Sequence, residues 1–342
     1  MKKFYTNVSQ IGNNIYHRYI DENGKRKEEF TDFVDIDLFT PTNEETPYKT
    51  FFTGQYLKKI SFAKIRDAKK FLKDYSDVHN MEIHGNRNWW AQFIAKEYSG
   101  KIEYDESLIV IANIDIETSL NWDNGNIGFP DPEIAPAPIT SITIEIGNHY
   151  TIFGLKEYSK KLPDNAEFFS YPTEADMLYG FLDFWMRKKP DLVIGWNIEG
   201  FDIPYIINRI DAILGPNQTA KLSPAYRFVK NKGVKIREKE LDNGLIVKDY
   251  IIHGLTITDL LKLYKFYTLK LRERYTLDHI CHVELGERKL KYDEMKNTFE
   301  LLEGSEHVKI PKNKKPEEME DFVRWCRMRN LLKEEKERRV KR

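Results

Sequence analysis

The chain has 342 residues, more than one ordinary small domain needs, which points to two units. An apolar fraction of 41% with 19 Tyr, 20 Phe and 6 Trp excludes a disordered chain. Fifty-four basic residues balance 54 acidic ones, so net charge signals no nucleic-acid partner and any such site must be a local patch. Cys281 and Cys326 form neither a disulfide framework nor a metal-type spacing, which fits a reducing compartment. The opening "MKKFYTNVSQIGNN" has no signal-peptide core, and no run approaches the roughly 18 apolar residues a span needs. A cytoplasmic protein without membrane contact is expected.

Residues 1–105 read as an α+β domain. "NNIYHRYIDENGKRKEEF" alternates around Asn23-Gly24, which predicts a hairpin with a type I′ turn. "SFAKIRDAKKFLKDYSDV" predicts an amphipathic helix, with Ser61 as its cap and Ile65, Ala68, Phe71 and Leu72 on the buried stripe. Trp89 and Trp90 are read as core rather than as stacking platforms.

Residues 106–342 read as a second domain. "SLIVIANIDIET", "ITSITIEIG" and "HYTIFGL" predict three neighbouring strands, with an irregular segment at 121–138 after the first. "TEADMLYGFLDFWMRKK" predicts a helix capped by Thr173 with Asp176 and ended by Pro190. "DLVIGW" is a buried strand. "FDIPYIINRIDAIL" is a helix with Ile203, Ile206, Ile207 and Ile210 on one face and Pro204 in its first turn. "GLTITDLLKLYKFY" runs from a strand into a helix, with Asp259 as cap. The order predicts a mixed sheet with helices packed on it, an α/β class. "KPEEMEDFVRWCRMRNLLKEEKERRVKR" predicts a last helix whose basic end is solvated.

The chemistry concentrates in a few acids. Side chains alternate along a strand, so Asp115 and Glu117 share one face while Ala112, Ile114 and Ile116 take the other. Two neighbouring carboxylates repel unless they protonate or meet a cation, and a divalent ion would satisfy both. Asp202 opens the helix after "DLVIGW". Strand ends of α/β folds collect ligands there, although a helix N-terminus alone also favours an acid.

Taken together, "NIDIET" and "GWNIEGFDIPYIINR" resemble the first two exonuclease motifs of family B DNA polymerases. "FPDP", "LSPAYR", "GLTITDLLKLYKFY" and "YTLDHICHVELGERKLKYD" extend the likeness, in order, to the amino-terminal third of the T-even-type bacteriophage branch. The resemblance implies an RNase H-like fold and a 3′→5′ proofreading exonuclease that releases nucleoside 5′-monophosphates. It implies two Mg²⁺ or Mn²⁺ ions, with Asp115, Glu117 and Asp202 as ligands and catalytic residues. It gives Phe129 a wedging role, sets Asn197 and Phe201 at the substrate end and offers Lys289 or Lys291 to phosphate. Asn197 also reads simply as the residue that closes the turn. The implied partners are a single-stranded DNA 3′ end or primer-template, and a chain carrying the polymerase palm, fingers and thumb. A phage-encoded protein would work in the bacterial host cytoplasm.

The third motif departs from the family pattern. The expected Tyr-x-x-x-Asp aligns with Trp325 and Arg329, and no acid occurs from Val323 to Leu332. Arginine cannot ligate a metal, so the second ion is in doubt. Two explanations stay open, a silent exonuclease module and a slipped reading frame past Phe322. The family's "SLYPS" and "DTD" polymerase motifs do not occur, so the chain alone is not expected to make DNA.

Overall fold

The computed structural model describes residues 2–78, 81–119, 130–155, 157, 162–240, 242, 244, 246–288, 290–293, 298–303 and 306–308. In chain order the first elements are β1 (Phe4–Ile11), β2 (Asn14–Ile20), β3 (Arg26–Thr31), β4 (Phe33–Pro41), β5 (Leu57–Lys64), α1 (Ile65–Asp74) and α2 (Trp89–Glu97). Then come β6 (Ile111–Thr118), β7 (Ile139–Ile146), β8 (His149–Gly154), β9 (Ala166–Ser170), α3 (Glu174–Lys188), β10 (Leu192–Gly195) and α4 (Asp202–Leu214). Two short helices, α5 (Pro216–Thr219) and α6 (Tyr226–Val229), precede β11 (Val234–Glu240) and β12 (Ile246–Ile252). The rest is β13 (Thr256–Asp259), α7 (Leu260–Tyr267), α8 (Leu277–Leu285), β14 (Leu290–Asp293), β15 (Thr298–Glu303) and β16 (Glu306–Val308). Among the described residues no helix is long and apolar enough to cross a membrane.

Two compact units emerge, each drawing on more than one stretch of the chain. The first joins Met1–Val110 with Lys188–Asp191 and Pro216–Thr256; the second holds Ile111–Arg187, Leu192–Gly215 and the chain from Ile257. Packing explains why 216–256 groups with the amino-terminal part. Tyr16 and Ala225 are buried in one cluster with Ile11, and the Phe228 ring lies 5.7 Å from those of Tyr16 and Phe30. Gly254 takes φ +91°, and a Cβ there would meet the Tyr16 ring at 2.5 Å, so glycine is required.

The first unit has β1, β2 and β3 as an antiparallel sheet and β4 with β5 as a hairpin. The hairpin at Asn23-Gly24 forms, but its turn is not type I′. Of the two central residues only Gly24 takes a positive φ, 75°. The Asp21 carboxylate accepts from the N–H groups of Asn23 (3.0 Å) and Lys25 (2.8 Å) and sets a longer turn. Helix α1 starts at Ile65, and Ser61 is not its cap. Pairing with β4 puts Ser61 opposite Asp37, to which its hydroxyl donates at 2.7 Å. Trp89 is core, packed with Ile15, Leu38 and Ile65, whereas Trp90 is exposed.

His17 sits fully buried on β2, with Nε2 2.7 Å from the Tyr98 hydroxyl. Burial, with the Lys3 charge adding, lowers its pKa from 6.5 to about 4. The unfolded chain therefore binds a proton between pH 6.5 and 4 that the folded chain refuses. Stability from this site is full above the unfolded value and is lost as pH falls through that window, by roughly 3 kcal/mol in total. Urea titrations at stepped pH should show this slope, and His17→Gln should flatten it. An unchanged slope would refute the assignment.

The second unit is built on a six-stranded sheet of order β13-β10-β6-β7-β8-β9. β10 runs parallel to β6, β6 to β7 and β7 to β8 are antiparallel, and β8 to β9 is parallel. The mixed α/β sheet expected from sequence is present, with β9 as a strand that sequence reading left out. One face of the sheet packs on α3, where Phe153 meets Phe181 edge to face at 6.1 Å. Ala112, Ile114, Ile116 and Ile142 are buried there. Thr173 caps α3 as expected, accepting from the N–H of Asp176 at 3.2 Å. Helix α4 joins α3 through Arg209, whose guanidinium grips both oxygens of Glu174 at 2.8 and 2.7 Å. The other face packs on α7 and α8, with Tyr150, Tyr264, Leu277 and Ile280 in one cluster.

Candidate active site

Asp115 and Glu117 lie on β6, both half-buried. Their cross-strand neighbours on β7 are Thr143 and Ser141, and Asn113 faces Glu145 in the same column. Glu145 continues to Tyr150 on β8, so this polar column belongs to the face that α7 and α8 cover. Asn113 and Glu145 are both buried, and the amide donates to the carboxylate at 3.3 Å. The alternation expected of the strand is therefore present, with aliphatic side chains toward α3 and polar ones opposite.

Asp202 reaches β6 from the other side of a short gap. β10 stays in register with β6 only as far as Ile194 opposite Asn113. Beyond that point β6 has no β10 neighbour, and the backbone N–H of Ile116 donates to Asp202 Oδ1 at 3.1 Å. Ile116 is the residue between the two strand acids. Asp202 itself is buried. Three carboxylates from two elements thus come to one end of β6.

The turn that delivers Asp202 is tightly specified. Gly195 ends β10 where a Cβ would lie 2.1 Å from Ile198 Cγ2 and 2.8 Å from the Ile114 carbonyl oxygen. Trp196 is buried and donates its indole N–H to the Tyr275 carbonyl at 3.1 Å. Asn197 takes a left-handed φ of 59°, and its carbonyl accepts from the N–H groups of Gly200 and Phe201, both at 3.0 Å. Asparagine tolerates that conformation better than most residues, so the turn-closing role read from sequence matches this geometry. Phe201 is half-buried, with its ring 5.3 Å from that of Tyr205.

Asp259 does more than cap α7. One oxygen accepts from the N–H of Leu261 at 2.8 Å and of Asn197 at 3.0 Å; the other accepts from Glu199 at 3.2 Å. It therefore holds the 196–199 turn as well as its own helix. The cap was legible in "TITDLL"; the clamp was not, because its partners lie some sixty residues away in sequence.

Phe129, Lys289, Trp325 and Arg329 lie outside the described residues, and so does the last helix expected from sequence. Lys291 lies on β14. All ligand atoms offered by Asp115, Glu117 and Asp202 are carboxylate oxygens, which suit hard divalent ions. Among the described residues, no group of three or more His, Cys, Asp or Glu closes around a metal position. The donors fit a hard divalent ion in chemical type.

The sequence profile of the DNA polymerase family B exonuclease domain matches residues 55–280. This chain belongs to the family B DNA polymerases. It is similar to the DNA-directed DNA polymerase of Escherichia phage RB69, 31% identical over 321 residues, covering 86% of this chain and 34% of that protein. The DNA-directed DNA polymerase of Enterobacteria phage T4 is 30% identical over 320 residues, with the same two shares. The DNA polymerase delta catalytic subunit of Oryza sativa subsp. japonica is 28% identical over 170 residues, 45% of this chain and 14% of that one. The chain spans about a third of the length of the two phage relatives.

Proposed function

We propose that this family B polymerase chain hydrolyses the 3′ end of single-stranded DNA, releasing nucleoside 5′-monophosphates, as the proofreading part of a DNA-directed DNA polymerase. The bond from the Ile116 N–H to Asp202, between Asp115 and Glu117, supports the reading most directly. These three carboxylates would hold Mg²⁺ or Mn²⁺, which when bound acidify a water and offset charge on the attacking and leaving oxygens. Asp202 is oriented by the backbone, and Asp259 holds the turn behind it. Asn197 and Phe201, on that turn, would line the terminal nucleotide, with Phe129 as wedge and Lys289 on phosphate. The polymerase palm, fingers and thumb would come from elsewhere, whether the same protein or a separate chain, in the cytoplasm of a bacterial host.

A second reading has one specific observation behind it. Arg329 stands where the family's third-motif aspartate is expected, and no acid lies between Val323 and Leu332. On that reading the chain binds single-stranded DNA and is catalytically silent. Incubating it with 3′-labelled single-stranded DNA and Mg²⁺ or Mn²⁺ separates the two. Metal-dependent mononucleotide release is the expected result. Binding without release with either metal overturns the exonuclease and leaves the silent fragment.

A further inference from the structure

Helix α7 begins at the Asp259 clamp and runs away from it for eight residues, about 12 Å. Its far end is unusual. Phe266 is 77% and Tyr267 62% exposed, their rings edge to face at 5.0 Å, and beyond them Leu269 is 99% and Leu271 89% exposed. The chain just after these residues is anchored. The Arg272 guanidinium pairs with Glu284 and donates to the Tyr264 hydroxyl at 3.0 Å, and the Tyr275 carbonyl receives the Trp196 indole N–H. Four large apolar side chains held out together mark a binding surface rather than ordinary scatter.

Charge says what binds there. From Leu260 to Arg272 there is no acid and there are four cations, Lys262, Lys265, Lys270 and Arg272. Glu199 pairs with Lys262 and Glu284 with Arg272. Lys265 and Lys270 are exposed and flank the two aromatic residues in sequence, with Lys265 Nζ 4.7 Å from the centre of the Tyr275 ring. Aromatic faces flanked by cations suit a polyanion that carries π faces of its own. We propose that this end of α7 is a stacking subsite for single-stranded nucleic acid. Phe266 and Tyr267 take bases, and Lys265 and Lys270 take phosphates. The inference deepens the exonuclease reading, on which it rests for the identity of its ligand; its test reads binding and not cleavage.

The test is the anisotropy of a fluorescent oligothymidylate with the full chain in EDTA, at about 50 and 200 mM salt. Phe266→Ala with Tyr267→Ala should raise Kd roughly ten- to hundredfold. Lys265→Gln with Lys270→Gln should flatten the log–log salt slope by about 1.4. Phe266→Trp should keep affinity, and the oligonucleotide should quench its fluorescence, a readout that stands even if the double alanine variant folds poorly. Wild-type affinity in the alanine variant, or an unquenched Trp, overturns the subsite. Loss of self-association in place of DNA binding overturns it too, in favour of a second copy as occupant. If the wild type binds through these rings yet cleaves nothing, the subsite stands and the exonuclease reading fails.

Discussion

Asp202→Asn is expected to slow mononucleotide release by about a hundred- to a thousandfold while leaving the fold nearly unchanged. The asparagine carbonyl can still accept from the Ile116 N–H, which now donates to Asp202 at 3.1 Å, so the backbone keeps its partner. What is lost is one negative charge from a buried group, the charge a divalent ion would need on the proposed reading. Asp202→Ala removes both charge and acceptor. It should lose the same activity and, in addition, about 1–3 kcal/mol of stability, the cost of orphaning a buried N–H. Comparing the two variants separates chemistry from folding. Release assays beside urea denaturation make the measurement. Full activity in the asparagine variant would show that Asp202 holds the strand and not the metal.

Arg18→Met is expected to destabilise the first unit by about 3–5 kcal/mol, the cost of several buried carbonyls losing their donor. Arg18 is entirely buried. Its guanidinium donates to the carbonyls of Pro190 (2.8 Å), Gly254 (2.6 Å) and Lys189 (2.9 Å), and it pairs with Asp191 at 3.1 Å. One side chain thus ties β2 to two distant segments, 188–191 and the chain around 254. Asp191 keeps Arg26 at 2.5 Å and the Val110 N–H at 2.9 Å, so its charge would not be stranded. Three carbonyls would be, and that sets the size of the loss. Arg18→Lys should rescue little, because an ammonium cannot reproduce the planar fork. The urea midpoint of the first unit at neutral pH measures it. A loss below about 1 kcal/mol would mean water can replace the guanidinium.

Local signals carried well from sequence to structure. The alternation in "NIDIET" sorted Asp115 and Glu117 from Ile114 and Ile116, because a strand has no other choice. The isoleucine stripe of α4, the Thr173 cap and the Asp259 cap are all decided within four residues. Signals that depend on a partner did less well. Ser61 looked like a helix cap, yet β4 claimed it as a strand residue. Asn23-Gly24 marked a hairpin, yet the Asp21 carboxylate chose its turn. The segment 216–256 gave no hint that Tyr16 and Arg18 would hold it.

By itself the sequence determined which groups this protein has to work with: two carboxylates on one strand face, a third at a helix start, and Arg329 where the family pattern expects an acid. The first three follow from strand period and helix-start signals and the last from the family resemblance, and none needs a long-range contact. Only the tertiary structure decided that Asp202 meets β6 between the other two acids. It does so because β10 stops pairing at Ile194, leaving the Ile116 N–H past the end of the ladder and in need of an acceptor.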